Sequence, residues 1–172
     1  MSSRLRKDDL RALAVQVLRR EPDPPVRVRL LREVLGAPPD DPRVRSARAS
    51  LDESPHVRLL VAAQHEDGSW GRLHSRDTRA AGAVPTTEWA VERAVALGLD
   101  HDHPMLHSAA EYLGAVAMGR ATPSDPPEKN DRWPTGVVLF AAATLAAIDS
   151  EHPALDPVWA LWHEIARRAF AE

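Results

Sequence analysis

Apolar side chains recur at helical spacing along most of the chain, and prolines repeatedly stand where an apolar segment begins. A proline is tolerated in the first turn of a helix, because its missing N–H would be unpaired there in any case. The spacing therefore predicts an all-α protein. Its upstream helices are expected at residues 8–20, 26–35 and 42–51. Its downstream helices are expected at residues 55–64, 86–98, 104–118, 135–148 and 153–170.

Two of the downstream helices differ in how much of their surface is apolar. In the helix at 104–118, Leu106 and Leu113 share one face, which predicts a helix that is covered on one side only. The segment 137–143 is apolar on every side, so we expect the helix that contains it to be buried all round. A layer of half-exposed helices against a layer of buried helices is typical of α/α barrels and solenoids.

The sequence repeats itself at an interval of 49 residues. Residues 99–106 read Leu-Asp-His-Asp-His-Pro-Met-Leu and residues 148–155 read Ile-Asp-Ser-Glu-His-Pro-Ala-Leu. An apolar residue, Asp, an acidic residue, His, Pro and Leu thus recur in register. The same interval relates Pro85-Thr86 to Pro134-Thr135. Such a period indicates stacked helix pairs, each too small to bury its apolar face alone.

The interval also divides the chain. Residues 53–172 are interpreted as a domain of α/α repeats, and residues 1–52, which do not follow the interval, as an N-terminal helical cap or a degenerate repeat. The last predicted helix has no inner helix after it, so its apolar side chains should form an exposed patch of the kind that marks an interface. We expect a second copy of the chain in a homodimer, a partner protein or downstream sequence to cover it. The patch comprises Trp159, Trp162, Ile165 and Phe170.

A conspicuous motif lies between the helices of the first predicted repeat. Residues 64–70 read Gln-His-Glu-Asp-Gly-Ser-Trp, which resembles the Gln-x-x-Asp-Gly-x-Trp motif of the squalene cyclase and protein prenyltransferase repeat. The resemblance extends over residues 55–170 and implies an α/α toroid, present here as a partial toroid or open arc. It also implies that the Gln side chain forms hydrogen bonds with free backbone groups at a helix end, and that the Trp ring packs over this Gln side chain. The residues with this structural role are Gln64, Asp67, Gly68 and Trp70. Independently of the resemblance, Asp-Gly is a turn signal and glycine accepts a positive φ.

The catalytic motifs of the same family are missing. Class II cyclases carry Asp-x-Asp-Asp, and the nearest string here, residues 100–103, reads Asp-His-Asp-His. The Asp-Asp-x-x-Asp pattern of class I terpene chemistry is absent, and the prenyltransferase zinc set includes a cysteine, which this chain lacks. We therefore expect a non-catalytic binding or assembly module without a cofactor. An enzyme acting on an isoprenoid or related lipid is the alternative, with Asp77, Glu88 or the acidic and histidine cluster at 100–107 as its acid.

The beginnings of the second helices are the expected binding face. In a toroid they would line the concave side, where they could hold a hydrophobic, isoprenoid-like molecule or a protein segment. The predicted ligand-binding residues are Thr86, Thr87, Glu88, Trp89, Arg132, Trp133 and Thr135. His101, His103 and His107 have the residue type of metal ligands. However, His152 repeats His103 without a second histidine nearby, so capping is favoured and no metal site is predicted.

The composition and the charge distribution of the chain narrow the possible classes of protein. Hydrophobic residues make up 44% and charged residues 27%, as in globular rather than disordered proteins. The longest apolar stretch, 137–148, is shorter than the about 20 residues that a spanning helix needs. The N-terminus has no apolar signal core, so a cytoplasmic protein is expected.

Residues 1–50 carry twelve basic and seven acidic side chains. That excess leaves a HEAT-like nucleic-acid binder as the last alternative, through Arg27, Arg29, Arg43, Arg45 and Arg48.

Overall fold

The computed structural model describes residues 6–75, 83–126 and 133–171. Within these ranges all regular structure is helical and no strand is present, which confirms the all-α prediction. No helix in the same ranges combines the length and apolarity needed to cross a bilayer.

The helix boundaries lie close to those expected from the sequence. The α-helices are α1 (Lys7–Leu18), α2 (Pro24–Arg29), α3 (Pro42–Ala49), α4 (Pro55–Ala63), α5 (Thr87–Ala96), α6 (Pro104–Ala117), α7 (Trp133–Ile148) and α8 (Asp156–Ala169). A π-helical turn, Leu30–Val34, continues α2, and two short 3-10 turns cover Leu51–Glu53 and Pro153–Leu155. Prolines begin α2, α3, α4 and α6, since the first helical turn requires no N–H from them. The last predicted helix, at 153–170, is thus a 3-10 turn followed by α8.

The chain forms two compact units, of which the first contains residues 6–59 and 97–99 among those described. Its core is formed by side chains of α2, the π-helical turn and α3, with Val28, Leu31 and Val44 almost completely buried. The Ser54 hydroxyl donates a hydrogen bond to Asp23 at 2.8 Å and ties the end of this unit's last turn to the start of α2.

The second unit contains residues 60–96 and 100–171 of the described chain, and α6 is its central helix. Nine residues of α6 are buried, because α5, α7 and the 3-10 turn Pro153–Leu155 all pack against it. On α7 only five residues are buried, while Ala143 and Ala147 are exposed.

In α6, Leu106 and Leu113 are buried while His107 and Glu111 are exposed, which confirms the one-sided pattern predicted for 104–118. The expectation that 135–148 is buried all round is wrong. An apolar helix is enclosed on every side only when neighbours surround it. Within the described residues α7 packs mainly on α5 and α6, so its opposite face is uncovered. The segment 137–140, which the sequence placed in the interior, is accordingly half-exposed.

Candidate functional site

The turn after α4 is held by side chains of the Gln-x-x-Asp-Gly-x-Trp motif. The Gln64 side-chain amide donates to the carbonyl oxygens of Gly68 at 3.0 Å and Met105 at 2.9 Å. The buried Trp70 indole donates to the Leu60 carbonyl at 2.8 Å, and Asp67 accepts from the Ser69 N–H at 2.9 Å. The motif thus joins the end of α4 to the first turn of α6.

Gly68 allows the turn to lie directly against the α6 backbone. Its φ is +86°, a backbone conformation that residues other than glycine rarely adopt. A Cβ at this position would stand 2.2 Å from the Ser108 carbonyl oxygen. The backbone approach therefore requires glycine.

The same turn also fixes the beginning of α5. The Trp70 N–H donates to the Thr87 hydroxyl at 2.9 Å, and the Thr87 and Glu88 N–H groups donate to the carbonyls of Arg72 and Leu73. Thr86 caps the helix by accepting from the Trp89 N–H at 3.2 Å. Thr87 is completely buried and does not line the cleft, so its hydroxyl serves a contact within the protein.

A cleft of about 460 Å³ opens beside the first two turns of α5. It is lined by His74, Ser75, Pro85, Thr86, Glu88, Trp89 and Glu92. His74 Nδ1 lies 2.6 Å from a Glu88 carboxylate oxygen. The imidazole ring also stacks on Phe140 of α7, with the ring centres 3.9 Å apart and the planes within 5° of parallel. His74 is therefore held in one orientation from two sides, while about 38% of its side chain is exposed.

A buried carboxylate, which the sequence analysis did not single out, shapes the wall of this cleft. Asp125 is only 8% exposed and accepts hydrogen bonds from three consecutive backbone N–H groups. The distances are 2.5 Å to Leu73, 3.0 Å to His74 and 2.7 Å to Ser75. Charge-assisted bonds of this kind are stronger than neutral ones. Asp125 thus anchors the backbone that presents His74.

Two perturbed groups lie around the motif and α6. Burial, together with the negative charges of Asp67 and Asp125, raises the pKa of Tyr112 to about 12. Burial also raises the pKa of Asp67, but hydrogen bonds from Ser69 and the charge of His65 oppose it and leave the pKa below its usual value.

The cleft itself carries two carboxylates, Glu88 and Glu92, and His74 is the one basic side chain among its described lining residues. Such a lining attracts positive charge. It disfavours a diphosphate, because like charges at close range repel.

The predicted ligand-binding set is brought together only in part. Thr86, Glu88 and Trp89 line the cleft, while the half-exposed Trp133 and the exposed Thr135 are not among its lining residues. Arg132 and the catalytic candidate Asp77 lie outside the described residues.

The histidines at 101–107 do not converge. His103 caps α6 by accepting from the Met105 N–H at 3.3 Å, and His101 lies against Asp102 at the surface. Within the described ranges, no group of three or more His, Cys, Asp or Glu side chains could hold a metal ion.

The predicted interface residues lie on the exposed helix α8 and directly after its end. Val158 is the one buried residue of α8, whereas Trp159, Ile165 and Phe170 are exposed, Phe170 by 85%. Trp162 is half-buried, and its indole N–H is buried without an acceptor among the described residues.

Comparison of the chain with protein-family models, with curated proteins and with solved structures gives no match. The resemblance to the cyclase and prenyltransferase repeat therefore rests on the motif at 64–70 and on the 49-residue interval.

Proposed function

We propose that this chain is a non-catalytic binding module built on part of a terpenoid cyclase-like α/α toroid. The cleft at the start of α5 is its ligand site. The ligand is a hydrophobic molecule, or a protein segment, that presents a positive charge. One observation carries the proposal: Trp89 lies in the same cleft as the carboxylates of Glu88 and Glu92. An aromatic ring beside carboxylates is the arrangement that recognises organic cations and basic side chains.

The size and rigidity of the cleft support this function. Small-molecule sites usually enclose about 300–1,000 Å³, and the cleft falls within that range. Its walls are held before any ligand arrives, because Asp125 anchors the backbone at His74 and Thr86 caps α5. A site that is already ordered loses less conformational entropy on binding.

The charge of the cleft restricts which isoprenoid-like ligands are plausible. An apolar chain can lie on the Trp89 ring, but a diphosphate head group would stand close to Glu88 and Glu92. We therefore expect an amine or quaternary ammonium compound, or a Lys or Arg side chain of a bound segment, rather than a prenyl diphosphate.

Binding can be tested by following the indole N–H signals in a two-dimensional NMR titration of the full chain. Decyltrimethylammonium, below its micellar concentration, should shift the Trp89 signal with saturation. Trp89→Ala or the double change Glu88→Gln with Glu92→Gln should weaken binding by about tenfold or more. Trp159→Ala is the matched control, because Trp159 lies on α8 and is not a lining residue of the cleft.

Two outcomes would refute the proposed function. One is farnesyl diphosphate binding as tightly as the cationic compound. The other is a titration in which the Trp159 signal moves and the Trp89 signal does not.

A second candidate, an enzyme acting on an isoprenoid or related lipid, is favoured by the His74–Glu88 contact. A carboxylate that orients an imidazole is the arrangement of general acid–base catalysis. Since Nδ1 faces Glu88, Nε2 is the nitrogen that could exchange a proton with a substrate in the cleft. Ser75 lines the same cleft and carries the hydroxyl nearest in sequence.

The two functions predict different effects of the same substitutions. An enzyme should lose turnover of a lipid ester or prenyl substrate in His74→Gln, while its substrate affinity changes little. Asp77→Asn, which changes the other carboxylate predicted from the sequence, belongs in the same assay. A pure binding module should show no turnover to lose, and its affinity for the cationic probe should depend on Trp89 and Glu92.

A further inference from the structure

The first unit carries an apolar groove that the proposed function does not use. It encloses about 540 Å³ between α1, the π-helical turn and α3. Its apolar lining residues are Val15, Leu18, Leu31, Leu35, Pro42 and Ala47. Most of the lining surface is carbon, so water in the groove gains few hydrogen bonds and is readily displaced.

Three arginines stand around this groove: Arg19, Arg27 and Arg43. Arg43 is already paired with Asp41 at 2.8 Å, and this contact lowers the pKa of Asp41 to about 2. The side chains of Arg19 and Arg27 have no carboxylate partner among the described residues. The Nε of Arg27 is buried and has no acceptor in the same ranges. Arg27 is half-exposed and lines the groove, so the rest of its guanidinium can pair with a ligand that brings a hydrogen-bond acceptor.

The nearby carboxylates are engaged elsewhere. Glu33 pairs with Arg29 at 2.9 Å, and Asp23 accepts from Ser54. Residues 1–50 as a whole carry twelve basic and seven acidic side chains. The groove therefore lies in a unit with uncompensated positive charge.

The groove is bounded by helical elements and is open to solvent. Its apolar lining residues recur about one helical turn apart, Val15 and Leu18 on α1 and Leu31 and Leu35 at the π-helical turn. Val15 is 40% exposed, so the lining can be reached from outside. The form of the groove matches the recognition of a helix, whose apolar side chains at i, i+3 or i+4, and i+7 fill one continuous groove.

We propose that this groove docks an acidic amphipathic helix of a partner protein. The apolar side chains of that helix fill the space over Leu18, Leu31 and Leu35. Its Glu or Asp side chains, on the flank of the apolar stripe, pair with Arg19 and Arg27. A carboxylate meets an arginine through two parallel hydrogen bonds, which fix the orientation of the docked helix.

Nucleic acid fits the same observations less well. A phosphate backbone could pair with Arg19 and Arg27, but it offers nothing apolar to cover Leu31 and Leu35. Other arginines that would contact DNA are engaged locally: Arg29 with Glu33, and Arg45 with the Asp40 carbonyl at 2.9 Å.

The test uses the full chain and three fluorescent synthetic helices of about five turns each. The first has leucine along one face and glutamate on the other. The second replaces every glutamate by lysine, and the third replaces every leucine by serine. The first should bind with saturation, as followed by fluorescence anisotropy. The affinities of the other two should be lower by about tenfold or more. Raising the salt concentration should weaken the first interaction, because the ion pairs lie at a partly exposed rim.

Matched variants locate the interaction. The double change Arg19→Glu with Arg27→Glu should weaken binding of the acidic helix by about tenfold or more. Arg11→Glu with Arg20→Glu makes the same change in net charge at exposed residues that do not line the groove, and it should have little effect. Leu35→Ser tests the apolar lining of the groove at a residue that is half-exposed. Circular dichroism of each variant verifies that it folds.

Several results would overturn the proposal. These are absence of saturable binding, equal affinity for the lysine helix, and equal effects of the two double changes. Tighter binding of duplex DNA than of the acidic helix, or of decanoate at the same residues, would assign the groove to another ligand. Self-association of the chain that is lost on Leu35→Ser would assign it to a second copy.

Discussion

His103 and His152 lie 49 residues apart and use the same ring nitrogen for the same contact. Each Nδ1 accepts a hydrogen bond from the backbone N–H two residues later, Met105 at 3.3 Å and Ala154 at 3.2 Å. In both places a proline follows the histidine and begins a helical turn. The sequence interval therefore has a local structural counterpart, in which an imidazole takes the place of the usual Ser or Asp cap.

We expect His103→Ala to lower the free energy of unfolding by about 0.5–2 kcal/mol, since an unpaired N–H would remain at the start of α6. His103→Asn should restore much of the loss, because asparagine is a good cap. His101→Ala, at an exposed neighbouring position, is the control. Chemical denaturation measures all three, and equal stability of His103→Ala and His101→Ala would contradict the capping role.

Gly68→Ala should destabilise the protein far more than an ordinary glycine change. The new methyl group would collide with the Ser108 carbonyl, and the positive φ adds strain. Together these effects should cost about 2–4 kcal/mol. Gly119→Ala is the matched control, because Gly119 has a φ of +68° but nothing within 4 Å of the added Cβ. It should show the strain alone, about 1–2 kcal/mol. Similar losses in both variants would mean that the approach to α6 is unimportant.

Asp125→Asn should remove the negative charge that holds residues 73–75. An asparagine offers one oxygen in place of two, and its amide hydrogens would face backbone N–H groups. We expect a loss of about 2–4 kcal/mol in thermal or chemical unfolding. The same variant should weaken binding of the cationic probe at Trp89, because the wall of the cleft loosens. Asp102→Asn, at a side chain that is 83% exposed, should leave both measurements unchanged.

Tyr112 should confer a distinct dependence of stability on alkaline pH. Its pKa is raised from 10.0 to about 12, so the unfolded chain ionises first. The stabilisation is therefore complete below pH 10 and is lost as the pH rises to about 12. The protein has one tyrosine, so phenolate absorbance follows this group alone. Tyr112→Phe should remove the stability change in this window. A folded-state titration centred at pH 10 would be inconsistent with burial of the ring.

Local features of the sequence predicted the helices well. Prolines, apolar spacing and the Asp-Gly turn act over a few residues, so α4, α6 and α7 begin and end near their expected positions. The buried face of α6 was predicted as well, from its apolar spacing. Burial was predicted poorly for α7, because the number of neighbours around an apolar helix depends on packing between segments that are distant along the chain.

Residues of the candidate site were likewise predicted where the sequence signal is local and missed where the contact is distant along the chain. Thr86, Glu88 and Trp89 were predicted because they begin a recognisable helix. The anchoring role of Asp125 was not predicted, since this residue lies in a segment without periodic pattern and its partners lie about 50 residues earlier.

Along the chain alone, apolar spacing and prolines determined that this protein is helical, where most of its helices begin, and that a glycine turn follows α4. Tertiary structure alone decided that one face of α7 is uncovered, that His74 meets Glu88 and Phe140, and that Arg27 lines an apolar groove. The reason is physical. Helix formation depends on hydrogen bonds between residues four apart, whereas burial and the pairing of side chains depend on which distant segments come into contact.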